Sequence, residues 1–298
     1  IGKISLTNPT VDFTANWAID ATAFTNTYGL LFNGAVLYVF NSQNNENNTI
    51  SKINLGSNDY NYNWGTIQGL NNSYGSVIYN GYLYVTDSIN NRISKISVTN
   101  PTNDYNLDWI TEGLDQPYGI VYYQRSDGLN FLYVSNSGNN TISSIFVTSE
   151  GTGSVISEWA GSLRSFTNPY TLLFFSYYYL LVLNSPNNEN NTISRMIASD
   201  RSFDYNWVTI PGLNNSCGSA WYAWDIYVTD YIDNKIVRIN VQYPDDRFDT
   251  NYATSVDGLN NPYGIAVYIP DPNDIDNRQD KYLYISNSGN NTISKIPV

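Results

Sequence analysis

Few side chains in this sequence have chemistry to offer. Asp271, Asn273, Asp274, Asp276 and Asp280 fall in one run, Asp-Pro-Asn-Asp-Ile-Asp-Asn-Arg-Gln-Asp, whose alternating oxygens are of the type that holds calcium. The run lacks the Gly and the closing bidentate Glu of an EF-hand loop, which favours a solvated acidic loop, and Asp245, Asp246 and Asp249 read the same way. There is no histidine, which removes Ser-His and Cys-His nucleophilic pairs, imidazole acid–base catalysis and His-ligated zinc or iron. Cys217 stands alone, so neither an intramolecular disulfide nor a cysteine-rich metal site can form.

Tyrosine is the more suggestive residue. Tyr28, Tyr74, Tyr118, Tyr170 and Tyr263, with Cys217 in the same role, recur at intervals of roughly 45 to 50 residues. Gly follows each except Tyr170, which Thr171 follows. A ring of tyrosines at a channel mouth would stack on sugar or peptide faces, offering an apolar body with a polar tip. Packing between repeats accounts for the same residues without any ligand, and both readings stay open at this point.

The elements that would position them are strands. In Ser73 to Val98, Tyr-Gly opens an apolar run, Asn80-Gly81 turns it, Tyr82 to Thr86 returns, and Arg92 to Val98 follows after a further turn. Asn-Gly between β-rich runs signals a two-residue hairpin, because both central residues of a type I′ turn need positive φ. The second strand recurs at Val36–Val39, Phe131–Val134, Tyr179–Val182, Ile226–Val228 and Tyr282–Ile285, and the third strand recurs with it. A fourth segment between copies carries Trp17, Trp64, Trp109, Trp159 or Trp207 and often ends in Gly-Leu. Four strands per unit and six units, without a helical period between them, predict an all-β fold: a six-bladed β-propeller of four-stranded antiparallel blades. The expected organisation is one propeller over residues 1–298, its blades opening near the six Tyr/Cys positions.

The recurring Pro/Ser-Tyr-Gly, Leu-Tyr-Val-(Thr/Ser)-(Asp/Asn)-Ser and Asn-Asn-(Arg/Thr)-Ile-Ser-Lys-Ile resemble the NHL repeat, most clearly over Tyr74–Ile96 and Pro262–Ile296. The resemblance spans nearly the whole chain and implies the propeller. It does not imply one activity, since that family includes ubiquitin-ligase scaffolds, RNA binders, lyases and lactonase-like enzymes. Its lyases rely on histidine, which is absent. Its lactonase-like members hold calcium with Glu, Asn and Asp at the channel, whereas Glu46, Glu112, Glu150, Glu158 and Glu189 all fall off the expected innermost strands. Asn41, Asp87, Asn136, Asn184, Asp230 and Asn287 match the repeat's acidic position and are expected to cap the following turn.

Ile1 to Thr10 repeats Ile93 to Thr102, so the chain is expected to begin in a third strand and run on through a fourth containing Trp17. Residues 1–21 would then complete the last blade, closing the ring beside the C-terminal third strand. The surplus strand copy is a candidate for self-assembly with another molecule, since unpaired edges recruit strands. Starting at Ile and lacking a charged-then-apolar leader, the chain reads as processed or trimmed.

A net charge of −12 repels phosphate backbones, which argues against nucleic acid as a partner. No apolar run is long enough to span a bilayer, so membrane insertion is not expected. Sequons at Asn47, Asn71, Asn139, Asn190, Asn214 and Asn290 are candidate N-glycosylation sites if the chain passes a glycosylating compartment, although so Asn-rich a composition produces about six by chance. The expectation is a non-catalytic binding or structural module with a protein or glycan partner and no cofactor, extracellular or on the surface of a virion, cell or fibre. The alternatives are a calcium-dependent lactonase-like hydrolase and a carbohydrate-binding propeller.

Overall fold

In the hairpin at the centre of the repeat, Asn80 and Gly81 both take positive φ, 47° and 80°, as a type I′ turn demands. Tyr79 pairs with Tyr82 across it. The computed structural model describes residues 14–19, 24–41, 47–57, 59–71, 73–148, 153–160, 166–175, 178–185, 191–198, 202–243, 248–255, 258–270 and 281–298. These form six four-stranded antiparallel sheets, each in sequential strand order except the last. The sheets are blades one to six of the predicted propeller. Among the described residues no helix is long and apolar enough to cross a membrane.

The last blade joins both ends of the chain. Its strands Pro262–Tyr268, Tyr282–Asn287 and Thr292–Pro297 are completed by Thr14–Ile19, which pairs antiparallel with Thr292–Pro297. This is the closure expected from the sequence. The surplus copy at 1–10 lies outside the described residues.

The apolar core is divided among the gaps between blades. Ile93 and Ile96, on opposite faces of one strand, are both fully buried, Ile96 against Tyr38, Ile50 and Leu70 of blade one and Ile93 against Leu132 and Ile145 of blade three. Buried on both faces, the strands need no alternation of polar and apolar residues. Fourth-strand aromatics cover the second-strand tyrosines: Trp64 on Tyr38, Trp109 on Tyr84 and Trp159 on Tyr133 at 5.0, 4.6 and 4.5 Å between ring centroids. Lys95 and Lys295 lie over Tyr82 and Tyr282 at 3.9 and 3.6 Å from the ring centroids, so the repeat's Ile-Ser-Lys-Ile uses its lysine as a lid on an aromatic face.

The repeat's Asp/Asn position divides into two devices. Asp87 and Asp230 cap as expected, accepting from the Asn90 and Asp233 N–H at 3.1 Å each. Asn136, Asn184 and Asn287 instead donate their side-chain amide to third-strand hydroxyls, Ser143, Ser194 and Ser294, at 2.8 to 2.9 Å, and Asn41 does the same to Ser51. The partner changes in step. Asp87 and Asp230 pair across the hairpin with Arg92 and Lys235, whereas Asn41, Asn136, Asn184 and Asn287 pair with Thr49, Thr141, Thr192 and Thr292. A buried carboxylate needs a cation, and an amide in the same place needs an acceptor for its N–H.

Candidate functional site

Each innermost strand carries one extra residue where Tyr-Gly stands. Ser73 pairs with Asp87 and Ser76 with Val85, and Pro262 with Asn287 and Ile265 with Ile285, three steps against two. The remaining inner strands shift register at the same place. Such a bulge re-aims a side chain, and here tyrosine comes to line the central channel.

Glycine after the tyrosine lets adjacent inner strands touch. A Cβ on Gly75 would lie 2.2 Å from the Tyr118 carbonyl of the next blade, and one on Gly264 would lie 2.4 Å from the Tyr28 carbonyl. A second-strand hydroxyl completes the joint. Thr86 accepts from the Gly75 N–H at 2.9 Å and donates to the Tyr118 carbonyl at 2.7 Å. Ser135, Thr229 and Ser286 repeat the arrangement in blades three, five and six, Ser286 reaching Tyr28 across the ring closure. Blade four has Leu183 there instead, and its Thr171, standing in the glycine position, supplies the hydroxyl from its own side chain, bonding the Cys217 carbonyl at 2.7 Å. The exception to Tyr-Gly is therefore a relocation of one hydrogen bond.

So positioned, the five tyrosines form a collar across the channel. Ring centroids lie 5.4 Å apart for Tyr28–Tyr74, 4.5 Å for Tyr74–Tyr118, 4.1 Å for Tyr118–Tyr170 and 4.7 Å for Tyr28–Tyr263. Tyr74 also stacks on Tyr263, two blades away, at 5.6 Å. Cys217 occupies the sixth place, its thiol directed to the Asn215 carbonyl at 3.5 Å. All six residues line one cavity of about 370 Å³, whose wall continues along the inner strands through Leu31, Ser76, Val121, Leu173, Trp221 and Val267.

Among the described residues that line this cavity there is no Asp, Glu, Lys or Arg. Burial raises Tyr28, Tyr74, Tyr170 and Tyr263 above the ordinary phenol range, and the surrounding phenols and Cys217 add to it. Burial likewise pushes the Cys217 thiol up. The described wall does not fit calcium, which takes several carboxylate, amide or carbonyl oxygens, since none of its described residues carries a carboxylate or side-chain amide. Among the described residues no three His, Cys, Asp or Glu side chains are grouped to hold a metal ion. Asp271, Asn273, Asp274, Asp276 and Asp280 lie outside the described residues, as does Asn190.

Of the other sequons, Asn139 and Asn290 sit in the turns between second and third strands, each accepting from its own sequon threonine, Thr141 and Thr292, at 2.7 Å. Asn71 and Asn214 lie in the loops entering the next blade, where their N–H groups donate to Asp87 and Asp230. Asn47 begins a third strand. All five are at the blade ends where the tyrosine collar lies.

Two features were not singled out from sequence. In the four Asn-Asn or Asp-Asn turns among the described residues, the second Asn bonds across to the next blade: Asn91 accepts from the Gln116 N–H, Asn140 from Asn168, Asn234 from Asn261 and Asn291 from Asn26. The other is an exposed aromatic group on blades four and five, signalled by Ala223-Trp224 standing where blade two has Asn80-Gly81.

No family model matches the chain, and no curated protein matches it. Among solved structures it is similar to the PQQ-bound aldose sugar dehydrogenase of Streptomyces coelicolor, with a TM-score of 0.63 at 12% identity over 92% of this chain and 94% of that one. An auxiliary nutrient binding protein from Bacteroides ovatus gives 0.62 at 14% identity, over 92% and 70% of the two chains. A chain of the nidogen/laminin complex gives 0.57 at 16% identity, over 80% and 83%. At these identities the likeness is one of fold, and this fold carries both catalytic and binding roles.

Proposed function

We propose that this chain is a non-catalytic binding or structural module of NHL-repeat type, working outside the cell or on the surface of a large assembly such as a virion or fibre, with its channel as the binding part. The uncharged, tyrosine-collared cavity carries the reading. General acid–base chemistry needs a group whose pKa lies near the operating pH. The titratable groups with resolved shifts in this wall are all displaced upward, away from neutrality. What such a wall favours is an uncharged ligand or partner segment held by aromatic faces and a few hydroxyls. The NHL assignment is supported by the way each motif maps onto one structural duty: Tyr-Gly on the bulge, Thr/Ser on the inter-blade joint, Lys on the aromatic lid. A surface position is supported by the sequons gathered at one end of the blades.

Native mass spectrometry in millimolar calcium, paired with turnover on a panel of lactones and esters, tests this reading. The module is expected to bind no stoichiometric calcium and to hydrolyse nothing above background. A bound ion whose removal by chelator abolishes turnover would replace it with the lactonase-like alternative.

A further inference from the structure

Blade five departs from its neighbours along its inner hairpin. Cys217 removes one ring from the collar. Four residues on, Trp221 lines the same cavity while remaining 40% exposed, and Trp224 at the hairpin tip is 54% exposed. Blades two and five share a two-residue turn, Tyr79 pairing with Tyr82 and Tyr222 with Asp225. Blade two fills it with Asn-Gly, the pair that suits positive φ. Blade five fills it with Ala-Trp and holds Ala223 at φ 54°, in the left-handed region that a residue with a plain Cβ disfavours. A less favourable turn thus presents an indole largely to solvent, where it gains little packing. Strain of this kind concentrates at functional positions.

The two indoles are not isolated. Phe175 of blade four lies 5.6 Å from Trp221, edge to face, and 6.2 Å from Trp224. Tyr178, on the same blade-four hairpin, is 66% exposed. These rings run from the hairpin tips into the uncharged cavity.

We propose that Trp221 and Trp224 of the blade-five inner hairpin, with Phe175 of blade four beside them, form a binding ledge for an uncharged oligosaccharide, with sugar faces stacked on the two indoles. Charge selects this occupant. The described residues lining the cavity that the ledge leads into carry no formal charge and offer nothing to an ionic group, and a chain of net charge −12 repels polyanionic glycans. Flat aromatic faces leading into a cavity lined with phenol hydroxyls match a neutral pyranose, which is apolar on its faces and polar at its edge. The proposal rests on the reading of the propeller as a binding module.

The test is calorimetric titration of the full chain with neutral hexasaccharides of the cello-, malto-, xylo-, laminari- and chito- series. Trp221→Ala and the double variant Ala223→Asn/Trp224→Gly are titrated alongside. The double variant installs the blade-two turn, so it is expected to melt at or above the parent temperature, which separates loss of binding from loss of fold. At least one sugar is expected to bind saturably, and both variants to weaken it by about tenfold or more, the worth of a lost aromatic contact. No saturable heat across the panel, or affinity unchanged in both variants, would overturn the ledge while leaving the module reading intact. Mass analysis of the sugar after incubation reads the module separately: fragments with variant-sensitive binding keep the ledge and remove the non-catalytic reading.

Discussion

At the scale of single residues, most side-chain choices in the repeat serve a neighbouring blade. Thr171 is the clearest case, because its hydroxyl satisfies the Cys217 carbonyl that no second-strand hydroxyl reaches. Thr171→Ala is expected to cost about 1 to 2 kcal/mol, since a carbonyl loses its partner inside the ring. Thr171→Ser keeps the hydroxyl and should recover most of it. Denaturant titrations of the two variants and the parent form the check, and a serine variant no better than Thr171→Ala would refute the relocation. Tyr84 makes the opposite prediction. Its hydroxyl is buried without a hydrogen-bond partner among the described residues, and burial pushes it up to about 12. Tyr84→Phe should therefore leave neutral-pH stability unchanged or raise it by up to about 1 kcal/mol. The sign of the pH effect follows from linkage. Phenols raised in the folded state keep their protons after the unfolded chain has lost them near pH 10. Their contribution is complete below about pH 10 and falls as pH climbs toward the folded values. Stability measured from about pH 9 to about pH 11.5 should decline, and Tyr84→Phe should make the decline shallower. A flat profile in the parent would contradict the buried-phenol account.

At the scale of elements, the glycines that open the inner strands separate into two classes that look identical in sequence. Gly75 faces the Tyr118 carbonyl at 2.2 Å from an added Cβ, whereas Gly29 meets Phe40 at 3.2 Å and the Tyr74 carbonyl at 3.3 Å. Gly75→Ala must push two inner strands apart and is expected to cost about 3 kcal/mol or more, while Gly29→Ala is expected to cost about 1 kcal/mol or less. Thermal melts of the two variants decide it, and equal losses would mean the close approach is not what glycine provides. The strands and hairpins were legible because their causes are local: Asn80-Gly81 sets its own turn, and Tyr82 to Thr86 has its own β propensity. The reason for Gly75 was not legible, because it lies in the next blade. The same holds for Asn91, whose turn position can be read from sequence but whose bond to Gln116 cannot. Asp87 and Asn136 looked interchangeable for a related reason, since each is matched to a partner, Arg92 or Thr141, that only the hairpin register brings opposite. For the channel, the repeat places a tyrosine in five of the six blades, but the contact between Tyr74 and Tyr263 is a property of the closed ring. Trp224 shows only when the copies are aligned turn by turn, where Ala223-Trp224 replaces the Asn-Gly of blade two; its exposure and its neighbour Phe175 come from the fold.

At the scale of the whole molecule, the ring is only as continuous as its closure. Five blades are each built from one contiguous stretch of chain, but the sixth borrows its outer strand, Thr14–Ile19, from the other end. Without that strand Thr292–Pro297 would become an edge exposing backbone donors and acceptors, which recruits other strands. The two ends meet at three further levels. The Asn26 N–H donates to Asn291 at 2.8 Å, Ser286 donates to the Tyr28 carbonyl at 3.3 Å, and Leu37, Val39 and Ile53 of blade one share a buried cluster with Tyr284 and Ile293 of blade six. These bonds and contacts remain when residues 1–23 are deleted, so the truncated chain is expected to keep its five contiguous blades and its collar while exposing the edge of the sixth. It should therefore show nearly unchanged far-ultraviolet dichroism, a lower melting temperature, and concentration-dependent self-association by light scattering. A synthetic peptide covering Thr14–Ile19 added in excess should compete with that association, because strand donation satisfies the same backbone groups. A monodisperse truncated chain melting with the parent would show that the inter-blade bonds close the ring without the borrowed strand.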